Sequence, residues 1–139
     1  MISIAIVDSG PLVAVANAAD PAYRACLEVL RTPSLRLVIP ALCVAEAAYL
    51  IHRECGSSTE ARFLRGLELF DVQAPLAQDW PRIGELVEQY TDFPLGGTDA
   101  SVIALAERLR TEVVVTLDHR HFGTVRPKHC KRLRLLPKI

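Results

Sequence analysis

The sequence predicts an α/β fold, a three-layer α/β/α sandwich with a central, mainly parallel sheet. Short Val- and Ile-rich runs alternate with longer segments whose apolar residues recur at helical spacing. The first and last of the strong runs, at 2–7 and 112–117, have the apolar centres of strands buried on both faces. No repeat, low-complexity tract or interdomain linker breaks this alternation over 139 residues, a length that suits one domain, 1–139, with one core.

Each element follows from local signals. Ile2 to Val7 reads as a buried strand, and Asp8-Ser9-Gly10-Pro11 then supplies capping residues and a proline fit for a first helical turn ahead of Leu12 to Ala16. Asp20-Pro21 opens a second helix to about Arg31, with Cys26, Leu27 and Leu30 at helical spacing, and Leu35 to Ile39 is a second strand. A third helix starts at Pro40 and ends near Gly56. It is nearly all apolar from Ala41 to Ile51, so it is expected to be the core helix. Ser57 caps a fourth helix through Leu67. Leu69 to Ala74 reads as a strand, Pro75 to Tyr90 as a helix despite Pro81, Leu95-Gly96-Gly97 as a loop, and Thr98 to Arg110 as a helix. Glu112 to Leu117 is the clearest strand. An irregular stretch through Pro127 and a short strand at Leu133 to Leu136 complete the chain.

Composition narrows the function classes. Formal net charge is zero, but seven of the sixteen Lys and Arg fall within residues 119–139, where no acid occurs. Arg120, Arg126, Lys128, Lys131, Arg132, Arg134 and Lys138 thus form a cationic tail on an anionic body, suited either to phosphate contact or to solubility. Cys26, Cys43, Cys55 and Cys130 are widely separated and form no CxxC pair, which argues against a zinc cluster or a disulfide framework. The chain opens on an apolar run without a basic leader, and no stretch has the length of a membrane span. A soluble cytoplasmic protein with reduced thiols is expected.

Four carboxylates stand where chemistry is possible. Asp8 and Asp118 each follow a strand directly, and in open parallel sheets ligands bind beyond the carboxyl ends of strands. Each also has an ordinary structural use, Asp8 as a helix cap and Asp118 as a turn residue. Glu46 is the one charged residue between Pro40 and Ile51, so a buried helix would leave it an unpaired acid in need of a cation. Asp99 opens the helix after Gly96-Gly97, where negative charge also suits the helix dipole. Gathered together, these acids make the oxygen-rich surroundings that Mg²⁺ or Mn²⁺ prefer. The chemistry expected of such a site is metal-assisted attack of water on a phosphodiester.

Taken in order, these segments resemble the PIN-domain family, and within it the VapC-like toxin ribonucleases, over nearly the whole chain. Val7-Asp8-Ser9-Gly10-Pro11-Leu12-Val13 resembles the family's first strand and turn, and Val44-Ala45-Glu46-Ala47 its central Glu helix. Asp92-Phe93-Pro94-Leu95-Gly96-Gly97-Thr98-Asp99-Ala100-Ser101 resembles the segment of the third acid. Thr116-Leu117-Asp118-His119-Arg120-His121-Phe122 resembles that of the fourth. The resemblance implies Asp8, Glu46, Asp99 and Asp118 as the catalytic and metal-binding set, with Mg²⁺ or Mn²⁺ as cofactor and RNA as substrate. It also implies an antitoxin partner and a homodimer. One departure stands out: many relatives carry a further Asp just before the last motif's Phe, where this chain has His121.

Ser9, Thr98 and Thr116 are candidates for orienting carboxylates or waters, and Arg120 and His121 for holding phosphate. Capping, turn bonding and plain exposure explain them equally well. Trp80, Tyr90 and Phe93 read as core or interface residues, and His52 and His129 as ordinary surface or helix-end residues. Two other readings remain open: a phosphatase- or receiver-like protein using the Asp after its first strand, and a non-catalytic RNA- or protein-binding module whose acids only cap helices.

Overall fold

A computed structural model describes residues 1–138. Its centre is a five-stranded, wholly parallel sheet built from β1 (Ser3–Val7), β2 (Leu35–Pro40), β3 (Asp71–Gln73), β4 (Val113–Val115) and β5 (Arg134–Leu136), in the order β3-β2-β1-β4-β5. The helices are α1 (Ser9–Val15), α2 (Tyr23–Leu30), α3 (Ala41–Cys55), α4 (Ser57–Gly66), α5 (Asp79–Gln89), α6 (Gly97–Leu109) and α7 (His119–Thr124). Successive strand residues point to opposite faces. Ala5, Ile6 and Val7 are all buried, as are Val113, Val114 and Val115, so both faces of the two central strands are covered. The expected α/β/α sandwich is therefore the observed one.

The core helix differs from expectation. In α6 every residue from Ala100 to Ala106 is buried, whereas α3 buries only Cys43, Ala47 and Ile51, a stripe at helical spacing. Hydropathy alone misranks the two because it counts apolar residues without their neighbours. With Ala at 100, 104 and 106 and Ser at 101, α6 packs against α5, β1 and β2. Two ion pairs bind it to α5: Arg82 grips both Glu107 oxygens at 2.8 Å, and Arg108 Nε donates to Asp79 Oδ2 at 3.0 Å.

Other boundaries moved for local reasons. A 3₁₀ turn, Leu67–Leu69, occupies the expected start of the third strand, which begins only at Asp71. Helix α5 begins at Asp79 because the Asp79 carboxylate accepts from Leu76 N at 2.9 Å, tying down the turn after Pro75. The stretch expected to be irregular contains α7, whose first turn is held by Asp118 accepting from His121 N at 3.0 Å. Gly56 joins α3 to α4 at φ 85°, a conformation in which a side chain would be strained. Trp80, read as core or interface, is half exposed.

All four cysteines are free. Among the described residues no helix is long and apolar enough to cross a membrane. Since α6 is enclosed on all sides, Ile103→Ala is expected to cost roughly 2–5 kcal/mol in urea unfolding. Val87→Ala, on the exposed side of α5, should cost about 0.5 kcal/mol or less.

Candidate active site

The sheet order places β1 beside β4, and the chain leaves β1 toward β2 and β3 but leaves β4 toward β5. Loops that part company in this way open a crevice at the carboxyl ends of the two strands. Asp8 stands at the rim of β1, where its N–H donates to Val115 O at 2.9 Å, and Asp118 lies three residues past the end of β4. Val7 pairs with Val115, so Asp8 is level with Thr116.

That register explains the contacts of Asp8. Thr116 Oγ1 donates to Asp8 Oδ2 at 2.8 Å, Ser9 N donates to Oδ1 at 2.8 Å, and the Cys43 thiol approaches Oδ1 at 3.8 Å. The carboxylate thus does cap α1, as an ordinary helix-start Asp would, and it also faces the crevice. Burial pushes its pKa up, the bonds from Thr116 and Ser9 oppose the shift, and the charges of Glu46 and Asp118 reinforce it. The same Thr116 hydroxyl accepts from Asp118 N at 3.0 Å, so one side chain spaces two of the acids.

Glu46 corrects an expectation. It is exposed at the rim of α3, not sunk in a buried helix, so the argument from an uncompensated buried charge does not apply to it. What joins it to the site is position: Ser9 Oγ donates to Glu46 Oε1 at 2.6 Å, and its charge is felt at both Asp8 and Asp99. Asp99 sits in the first turn of α6. Its pKa is pushed up to about 6, first by burial and then by the charges of Asp8, Asp118 and Glu46, with His121 pulling the other way. Acids from four separate elements therefore share one electrostatic neighbourhood. Among the described residues, none of the four ion-pairs with Lys or Arg; Asp118 pairs with His121.

The remaining candidates divide. Ser9 and Thr116 touch the acids directly. Thr98 acts through its carbonyl, which accepts from Ser101 Oγ at 2.6 Å, and its hydroxyl bonds none of the four. His121 Nδ1 donates to Asp118 Oδ2 at 2.7 Å, while Arg120 is exposed on α7. The cationic tail is split by the fold. Arg134 pairs with Val113, so Lys131, Arg132 and Arg134 cluster at the end of the sheet remote from Asp118, and Lys128 Nζ lies 3.7 Å from Glu85. Arg120 and Lys138 remain on the side of the acids.

Two neighbours of the site were missed from sequence. Cys43, one helical turn before Glu46, points its buried thiol at Asp8, and burial and the nearby acids push its pKa far up, keeping it protonated. His119 Nε2 donates to Thr116 O at 3.1 Å. The i, i+3 spacing of Cys43 and Glu46 was the available signal for the first; nothing in sequence marked the second.

A divalent cation fits the donor set, which is all carboxylate oxygen with no Lys or Arg among it. As they stand, no three His, Cys, Asp or Glu side chains among the described residues form a ready cage. Glu46 is turned to Ser9, Asp8 to Thr116 and Asp118 to His121, as expected of like charges with nothing between them. The raised Asp99 pKa has a sign that can be worked out. A carboxyl that holds its proton more tightly when folded loses stability as pH rises from the ordinary Asp range to about 6, and the penalty is full above that. Asp99→Asn is therefore expected to raise the melting temperature of the metal-free protein at pH 8. That gain should fade on acidification from pH 6 toward 4, followed by calorimetry across that range.

The PIN domain family matches residues 5–126. The chain is 32% identical over 134 residues to Ribonuclease VapC26 of Mycobacterium tuberculosis, covering 95% of this chain and 99% of that protein. Among solved structures it is similar to VapC20 of Mycobacterium tuberculosis, described as a Sarcin-Ricin loop cleaving toxin, with a TM-score of 0.74 at 17% identity over 84% of this chain and 91% of the other. A toxin–antitoxin complex from Klebsiella pneumoniae gives a TM-score of 0.68 at 20% identity over 87% and 92%. With a family match across most of its length and a curated relative at this identity, the chain belongs to the PIN-domain family.

Proposed function

We propose that this chain, as a single PIN-like domain over 1–139, is a Mg²⁺- or Mn²⁺-dependent endoribonuclease and the toxin of a toxin–antitoxin pair, working in the cytoplasm. The observation that carries this reading is the convergence of Asp8, Glu46, Asp99 and Asp118 on one crevice without a Lys or Arg among them, in a chain whose relative is a ribonuclease. These four residues would hold the ion. Bound there, it supplies a Lewis acid and a water acidic enough to attack a phosphodiester near neutral pH.

The protein's own part is orientation. Thr116 sets the rotamer of Asp8 and spaces it from Asp118, and Ser9 turns Glu46 toward the crevice. These neutral hydroxyls aim carboxylates without cancelling their charge. Arg120 and Lys138, on the same side, are suited to the flanking phosphates of an RNA strand.

An antitoxin partner is part of the proposal. It is supported by the toxin–antitoxin complex among the structural neighbours and by an apolar groove of about 240 Å³. Leu12 and Val15 of α1, Leu30 of α2, Leu37 of β2 and Phe63 of α4 line it, with Arg62 at hand for an acidic group. A basic side chain of the same partner would complement the acids. For the homodimer, the support is a set of exposed apolar residues in β3, the turns beside it and the start of α5: Leu69, Val72, Leu76 and Trp80.

The test uses purified protein and total RNA. Cleavage is expected with Mg²⁺ or Mn²⁺ and not with EDTA, and Asp8→Asn, folded by circular dichroism, should lose about 100-fold or more of the rate. A variant as fast as the parent, or full activity in chelator, overturns the metal-site assignment. Light scattering should give twice the chain mass for the parent, shifting toward one chain in Trp80→Glu.

A further inference from the structure

The loop joining α5 to α6 is largely exposed, yet it is held at several points. Leu95 N donates to Tyr90 O at 3.0 Å, the Tyr90 hydroxyl accepts from Arg126 N at 2.9 Å, and the Phe93 ring lies 5.3 Å from Tyr90 and 5.0 Å from His121. The His121 ring spans from this loop to the acids. Its Nδ1 donates to Asp118 Oδ2 at 2.7 Å, and its Nε2 donates to the Phe93 carbonyl at 3.2 Å. Both partners are acceptors on segments 25 residues apart, so the full bridge needs an N–H on each ring nitrogen, which only the imidazolium form of His121 supplies. An ionised Asp at this position would present oxygen to both and could make neither bond.

We propose that His121 is a positioning residue of the acid site, a strut that fixes the Asp118 carboxylate against the Phe93 carbonyl and so makes the 90–96 loop one rigid unit with the fourth acid. Two consequences follow from the geometry. The Nδ1 bond holds one Asp118 oxygen while the His121 backbone N–H, at 3.0 Å, holds the other, so the carboxylate plane is set from two directions. The Nε2 bond anchors a loop that leads directly into α6, and thus into Asp99. The inference rests on the reading above that Asp118 takes part in binding a divalent ion.

Two amide substitutions separate the halves of the strut. In His121→Asn the side-chain amide nitrogen stands where Nδ1 was and keeps the bond to Asp118. In His121→Gln it stands where Nε2 was and keeps the bond to Phe93 O. Mn²⁺ binding is read by electron paramagnetic resonance of the free ion, and loop order by amide hydrogen exchange of residues 91–97 in the metal-free protein. His121→Ala is expected to weaken Mn²⁺ binding about tenfold or more and to speed loop exchange by a similar factor. Asn should keep most of the affinity with a fast-exchanging loop, and Gln should keep the loop protected with weakened Mn²⁺ binding. If Ala does not fold, the Asn and Gln pair still decides. Asn and Gln behaving alike, or Ala staying within about twofold of the parent in either readout, overturns the strut. Absence of Mn²⁺ binding by the parent itself overturns the metal reading instead, and is told apart because loop exchange is measured without metal.

Discussion

Negative charges gathered in one crevice without a Lys or Arg among them are the constraint around which the rest of the protein is arranged. Mutual repulsion and partial burial act together on Asp99 and Asp8, raising the proton affinity of both. An Arg or Lys inserted among them would relieve that cost and would also neutralise the field that attracts a divalent ion. The chain instead uses neutral donors, the hydroxyls of Ser9 and Thr116 and the backbone N–H groups of Ser9 and His121, which orient oxygens and leave the net charge in place. His121 is the one cation-capable group in contact, and among the four acids it bonds Asp118.

Holding such a cluster demands a stiff frame, and the fold supplies it at the least yielding place. Strands β1 and β4 are buried on both faces, and their register sets Asp8 level with Thr116 through paired backbone hydrogen bonds. Helix α6, buried over seven consecutive residues, brings Asp99 to the same crevice from its amino end and is tied to α5 by a two-pronged Arg82–Glu107 pair. Glu46 is the exception. It comes from the exposed rim of α3, and its bond from Ser9 is what couples it to the buried members.

The parallel α/β class, the run of strands and helices up to α6 and the elements that bear the four candidate acids were legible in sequence because they depend on local signals: uninterrupted Val and Ile runs, capping residues at 8–11, an isolated Glu in an apolar segment. The misjudged parts depend on what lies across space. Helix α3 looked like the core helix because hydropathy counts apolar residues without asking what they face; α6 is buried because α5, α3 and the sheet strands β1 and β2 surround it. Helix α7 has little propensity of its own, with His119, His121 and Gly123, and exists because Asp118 caps it and buried Phe122 anchors it. The cationic tail looked like one patch because its residues are adjacent in sequence; running β5 parallel to β4 sends half of them to the far end of the sheet.

By itself, then, the sequence determined that a parallel α/β protein would carry Asp8 and Asp118 just beyond strand ends, with Glu46 and Asp99 on helices, since covalent order and local propensity suffice to say which element bears which residue. Only the tertiary structure decided that these acids share one field, that Glu46 is at its rim, and that Cys43, His119 and His121 attend it. The reason is that distance and burial are properties of the packed chain: residues 8 and 116 meet through strand pairing, and 93 and 121 through a loop closing on a helix. No local pattern encodes either meeting.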